Sequence, residues 1–298
     1  MNIPQKTAKD FAPEVLRLFD QYVHGLLSRR GFLQGAGKYT TGAVTAEVLL
    51  AQLSPNFAHA QQVQGDDSRI QTGFVEIPSP QGYGKVRAYL VKPAQAKGPL
   101  PTVLVVHENR GLNPHIEDIA RRLALDGFIA LAPDALYPLG GYPGDEDKAR
   151  ELFPKLDQTK TRADFLAATQ YLLKLDGGHG KVGVVGFCYG GGMANFLATQ
   201  VPELAAAVPF YGAQPPDADV PRIKAPLLIH YAGTDERINA GWPQYEAALK
   251  ASKVSYQAFF YDGVQHGFNN DTTPRYDAAA AKLAWQRTVA FFKQQLKA

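Results

Sequence analysis

The chain has 298 residues, of which 45% are hydrophobic and 20% charged, and a formal net charge of +3. That profile supplies a sizeable core and leaves no basic footprint for nucleic acid, and no apolar run approaches the ~18–20 residues of a membrane span. A single cysteine excludes an intrachain disulfide and a multi-cysteine metal site.

In the first 60 residues, Phe11, Val15, Leu18, Phe19, Tyr22 and Leu26 fall on one stripe of an amphipathic helix. Ser28-Arg29-Arg30-Gly31-Phe32-Leu33-Gln34 follows and resembles a twin-arginine export motif. A weakly apolar stretch from Gly35 to Leu53 comes next, then Ala58-His59-Ala60, a small-x-small cleavage-like site. One reading is a signal removed from a periplasmic enzyme. The other is that Ser28 caps a second helix whose Phe32 and Leu33 pack on the body of a cytoplasmic one. Lys38 and Glu47 interrupt the supposed signal core. Residues 1–65 therefore read as a helical extension or export signal, and 66–298 as one α/β domain.

From Phe74 onward strands and helices alternate. Phe74–Ile77 and Val86–Val91 read as an opening strand pair turning at Gln81-Gly82-Tyr83-Gly84. Thr102–Val106 is a continuous apolar strand of the kind buried on both faces. Ile116–Leu125 reads as a helix and Phe128–Leu131 as a strand. The Gly/Pro-rich loop Pro138–Gly144 is placed to border a pocket. Asp145–Leu156 and Thr161–Leu175 read as helices, Lys181–Phe187 as a strand, and Met193–Thr199 as the start of the helix after it. Ala207–Tyr211, Leu227–Tyr231 and Tyr256–Tyr261 are strands; Trp242–Ala251 and Ala278–Leu296 are helices. The alternation predicts a single-domain, mostly parallel, doubly wound sheet.

Cys188 lies in Gly186-Phe187-Cys188-Tyr189-Gly190, directly after an apolar strand. A strand ending in Gly-x-nucleophile-x-Gly is the nucleophile-elbow pattern, whose strained turn needs small neighbours. A thiol of ordinary pKa is mostly protonated at neutral pH and needs a base. His266 is the candidate, in the loop after Tyr256–Tyr261. Asp235 follows Leu227–Tyr231. The order nucleophile, acid, histidine, each just past a strand's carboxyl end, is that of an α/β-hydrolase triad. His230, inside a strand, and His107 and His179 are weaker candidates for the base; Asp262 and Asp217 are weaker candidates for the acid. The block His107-Glu108-Asn109-Arg110-Gly111-Leu112-Asn113 follows Thr102–Val106, where this fold keeps a loop that donates an oxyanion-hole N–H. The N–H of Tyr189 is the expected second donor. Arg110 either pairs with Glu108 in solvent or meets substrate.

The elbow Gly186–Gly192, the His107–Asn113 block, Phe128-Ile129-Ala130-Leu131-Ala132-Pro133-Asp134 and the ending His266-Gly267-Phe268 resemble the dienelactone hydrolase family. The likeness covers about residues 70–298, and residues 1–60 resemble the extension of a longer subgroup. It implies an α/β-hydrolase with no cofactor and no metal. The founding activity opens dienelactone to maleylacetate, so the implied substrate is a small-molecule ester or lactone. Cys188 is implied as nucleophile, His266 as base, Asp235 as its orienter, and Glu108 as a carboxylate that contacts the resting thiol. Asn109 and Tyr189 are implied as the oxyanion-hole amides. The family pattern places an arginine for a substrate carboxylate four residues after the histidine, where this chain has Asn270; Arg275 or Arg150 are the substitutes on offer. Two other classes are weighed against this. A non-catalytic scaffold predicts a broken triad, and a redox-sensing thiol protein calls for a resolving cysteine, which is absent.

Overall fold

The computed structural model describes residues 6–40 and 44–297. The chain opens with four helices, α1 (Pro13–Val23), α2 (Arg29–Ala36), α3 (Ala46–Leu53) and the short α4 (Phe57–Ala60). Residues 41–43 of the weakly apolar stretch lie outside the described residues. Phe11, Val15, Phe19, Tyr22, Phe32, Leu49 and Leu53 make a hydrophobic cluster of the extension's own. Ser28 caps α2 as expected, its hydroxyl accepting from Gly31 N at 3.1 Å. Phe32 is fully buried and Leu33 partly so, in this cluster. The stripe predicted through Leu26 stops short. α1 ends at Val23, Gly25 takes φ +76° and Leu26 is 69% exposed. A glycine in the left-handed region is the usual end of a helix.

The domain proper is an eight-stranded sheet in the order β1-β2-β4-β3-β5-β6-β7-β8. The strands are β1 (Ile70–Ser79), β2 (Gly84–Pro93), β3 (Leu100–Val106), β4 (Ile129–Pro133), β5 (Gly178–Phe187), β6 (Ala206–Phe210), β7 (Leu227–Ala232) and β8 (Tyr256–Tyr261). β2 is antiparallel to both β1 and β4, and the other neighbours run parallel. β3 to β7 are apolar runs because helices cover both faces. On one face lie α5 (Pro114–Leu125) and α11 (Ala278–Gln295); on the other lie α7 (Gln158–Leu173), α8 (Tyr189–Gln200) and α10 (Trp242–Ala251). The connections also hold α6 (Glu146–Leu152) and α9 (Glu236–Asn239).

Boundaries differ most from expectation at three places. β1 and β2 are ten residues each, longer than predicted, because their ladder runs from Ile70↔Pro93 to Ser79↔Gly84 through polar positions. The helix predicted over Asp145–Leu156 ends at Leu152 and passes into a 3-10 turn over Phe153–Lys155, where Pro154 cannot extend it. α8 starts at Tyr189, ahead of the predicted Met193, with Gly190, Gly191 and Gly192 inside its first turn. Glycines are poor helix formers, but a Cβ on Gly191 would lie 2.5 Å from the Phe210 carbonyl oxygen. Close packing therefore overrides propensity.

Candidate active site

Cys188 joins β5 to α8 at φ +56°, ψ −111°, a conformation rare for a residue with a side chain. The turn closes on itself so tightly that a Cβ on Gly186 would lie 1.9 Å from the Gly190 carbonyl oxygen. One on Gly190 would lie 2.2 Å from the Val106 carbonyl oxygen. Cys188 N–H donates to the Phe210 carbonyl at 3.0 Å, pinning the turn to β6. Tyr189 N–H belongs to the first turn of α8, where backbone donors have no intrahelical acceptor.

His266 and Asp235 arrive from the loops after β8 and β7. His266 Nδ1 lies 2.5 Å from Asp235 Oδ2, and the other carboxylate oxygen accepts from Ile238 N at 3.3 Å, capping α9. Both side chains are buried, and His266 Nε2 has no hydrogen-bond partner among the described residues. The Cys188, His266 and His24 donor atoms lie within 4.8 Å of one another. Burial pushes the thiol pKa up, but the facing His266 and His24 outweigh burial and bring it down to about 6. Burial alone would lower His266; the Cys188 thiolate and Asp235 hold it up at about 10. Each group thus favours the charged form of the other, a thiolate beside an imidazolium.

The weaker candidates sit elsewhere. His230 is buried between the Tyr261 hydroxyl at 3.0 Å and Thr288 Oγ1 at 3.2 Å. His107 Nε2 accepts from Ala135 N at 3.1 Å. His179 lies at the start of β5, Asp262 is exposed, and Asp217 accepts from Gln244 at 2.6 Å.

Glu108, Asn109, Arg110, Asn270 and Arg275 line a narrow cavity of about 50 Å³ with Cys188 and His266. Glu108 Oε2 accepts from Asn270 Nδ2 at 2.8 Å, and Cys188 Sγ lies 3.5 Å from His24 Nε2. The three arginines singled out for substrate all meet the N-terminal extension. Arg110 donates to the Val23 carbonyl at 3.0 Å, Arg150 lies 4.5 Å over the Tyr22 ring, and Arg275 donates to Asp20 at 3.5 Å. The Asn109 side chain also donates to the Val23 carbonyl, at 2.8 Å. A second cleft, of about 280 Å³, reaches Cys188 between Tyr189, Met193, Phe196, Ala213 and Pro215, with Arg162 on its wall.

Three residues here escape a reading of the sequence. Asp20 and His24 come from α1 and its cap, and their i,i+4 spacing is the signal that a search for acid–imidazole pairs would find. Tyr211 takes φ +36°, its ring centroid lies 4.9 Å from that of His266, and its buried hydroxyl has no hydrogen-bond partner among the described residues. Nothing in the sequence marks it. His24, Cys188 and His266 carry metal-ligating atoms, but their spread is looser than the roughly 3.5 Å between ligand atoms around a tetrahedral ion with ~2.0–2.3 Å bonds. The arrangement suits proton transfer between ring and thiol.

Residues 86–296 match the dienelactone hydrolase family, and residues 1–38 match a separate family described as YqhI-like. The chain belongs to the dienelactone hydrolase family. It is 36% identical over 248 residues to the putative carboxymethylenebutenolidase of Escherichia coli K12, covering 78% of this chain and 90% of that one. The corresponding protein of Saccharolobus solfataricus is 32% identical over 251 residues, covering 72% and 95%. Among solved structures, a putative dienelactone hydrolase from Klebsiella pneumoniae superposes with TM-score 0.67 at 31% identity, covering 76% of this chain and 99% of that one. The family's α/β-hydrolase sheet is thus the one described above. The matched region also holds the elbow, Asp235, His266 and the Glu108 loop.

Proposed function

We propose that this hydrolase opens carboxylic esters or lactones of small molecules through a thioester on Cys188. The observation that carries the reading is the strained cysteine in its glycine-flanked turn, within reach of the buried Asp235–His266 pair. The thiolate attacks the carbonyl carbon, and the Asn109 and Tyr189 amides hold the oxyanion. The C–O bond breaks, the proton on His266 goes to the leaving oxygen, and water then releases the acid. A thiolate is a better leaving group than an amine and a poorer one than a stabilised enolate, so activated esters and enol lactones suit it better than amides. The 280 Å³ cleft has room for a small acyl group, and its apolar walls favour one carrying a ring or chain. Glu108, held by Asn270, borders the thiol cavity.

Intact mass after mixing with an activated ester tests this. An acyl adduct on Cys188 that turns over in the wild type and accumulates in His266→Ala is expected. Undiminished hydrolysis by Cys188→Ala would sink the reading.

A further inference from the structure

The end of α1 brings a second carboxylate–imidazole pair to the cysteine. Nδ1 of His24 lies 2.7 Å from the Asp20 carbonyl oxygen and 3.3 Å from Asp20 Oδ1. Both neighbours are acceptors, so hydrogen bonding assigns the proton to Nδ1 and leaves the lone pair on Nε2. That Nε2 is 3.5 Å from Cys188 Sγ and accepts from Arg237 at 3.1 Å. Asp235 and His266 present the same arrangement to the same sulfur, and the two imidazole rings meet edge to face with centroids 4.7 Å apart.

The position of His24 is built. The Val23 carbonyl, next to it in the chain, accepts from both Asn109 Nδ2 and Arg110. Arg275 reaches Asp20, and the Tyr22 hydroxyl donates to Asp147. No described residue of the extension lines the 280 Å³ cleft, so a carbonyl can reach the thiol from that side with α1 in place.

We propose that Asp20 and His24 form a second acid–base pair of this enzyme, in which His24 takes the proton from the water that hydrolyses the Cys188 thioester. This rests on the thioester reading above. In acylation the sulfur–carbon bond forms, the C–O bond breaks, and His266 delivers the former thiol proton to the leaving oxygen. In deacylation the water oxygen bonds to the same carbon and its proton goes to His24 Nε2. The C–S bond breaks and sulfur leaves as thiolate. The proton passes from His24 to His266, which restores the resting pair, and the acid product ionises to solvent.

The charges time the two steps. Burial lowers the proton affinity of His24, but the Cys188 thiolate, the largest influence raising it, and Asp20 outweigh burial and leave it raised. Acylation removes that thiolate and with it the largest influence favouring a charged ring, so the ring stays neutral, with its lone pair on Nε2, when water must be activated. Asp20 is 29% exposed and shared with Arg275, so it holds an imidazolium more loosely than buried Asp235 holds His266. Arg237 adds positive charge on the same side of the ring, and the two imidazoles repel when both are charged. Glu108 and Arg110, from the loop after β3, border the same cavity.

The test is His24→Gln in the full chain, with stopped-flow release of nitrophenolate from a p-nitrophenyl ester and intact mass. The first-turnover burst is expected to persist while the thioester accumulates and steady turnover falls about 10²-fold. Added imidazole is expected to restore turnover in His24→Ala, a rescue that a purely structural role would not give. Unchanged turnover, or loss of the burst without rescue, overturns the proposal. Faster turnover or faster labelling of Cys188 also overturns it, and makes the extension a plug over the thiol. Activity that survives Cys188→Ala would bring down the thioester reading itself, whatever His24 does.

Discussion

The charge state of Cys188 is the most direct physical consequence of the site, and alkylation reads it without a substrate. An exposed cysteine titrates near ~8.5, so about 3% is thiolate at pH 7. Here His266 and His24 overcome the cost of burial and place the thiol at about 6, which makes about 90% of it thiolate at pH 7. The iodoacetamide rate plotted against pH is therefore expected to rise through pH 6 and level off. Because the midpoint is read from the shape of the curve, lower nucleophilicity of a low-pKa thiolate does not shift it. The sign follows from the partners. Protonating the thiolate below pH 6 removes the pair, and deprotonating His266 near 10 removes the cation that stabilises it. Ester acylation should accordingly run on a plateau between about 6 and 10. In His266→Gln the midpoint should move upward by a unit or more, because burial remains and the largest cationic partner is gone. A wild-type midpoint between 8 and 9, or one that ignores His266→Gln, would refute the ion-pair account.

Asp235→Asn should leave the fold intact but lower kcat by roughly 10³–10⁴-fold, since a neutral amide neither fixes the His266 tautomer nor balances its charge; steady-state kinetics beside a melting curve separates the two. Gly186→Ala puts a Cβ where the Gly190 carbonyl lies 1.9 Å away, so a loss of roughly 1–3 kcal/mol or more is expected, read as a lower midpoint in urea. Phe32→Ala empties the centre of the extension's cluster, where Phe32 is fully buried. At about 3–5 kcal/mol it should free the extension for limited proteolysis while the sheet domain stays resistant. Arg162 faces the cleft that reaches Cys188, so Arg162→Ala should lower kcat/KM for esters bearing a free carboxylate and spare neutral ones.

The sheet and the triad candidates were legible because they depend on local order. Apolar strands announce a doubly buried sheet, and Cys188, Asp235 and His266 each follow one in the expected sequence. The start of α8 was not legible. Three consecutive glycines argue against helix, and the carbonyls of Val106 and Phe210 pressing on Gly190 and Gly191 explain those two. The partners of the arginines were out of reach for a similar reason. The contact between Asn109 and the Val23 carbonyl spans 86 residues, and no periodicity encodes it. The contact of Asn270 with Glu108 is likewise a matter of tertiary placement.

The two readings of Ser28–Leu33 have different consequences for the active site. Removal of the chain up to Ala60 would take away Asp20 and His24, strip the Val23 carbonyl from Asn109 and Arg110, and free Arg275 from Asp20. It would also remove the entire cluster around Phe32. A processed enzyme would have an open entrance over Cys188, bordered by Glu108, Arg110, Glu146 and Arg275, with His266 as its sole imidazole partner among the described residues. An unprocessed one has that entrance filled and a second imidazole on the sulfur. If the extension belongs to the working site, the protein isolated from its native host retains Asp20 and His24, and intact mass reads this directly. A chain truncated after Ala60 would then accumulate thioester as His24→Gln does. If such a chain turns over faster than the full one, the helices at the start cover the enzyme and take no part in its chemistry.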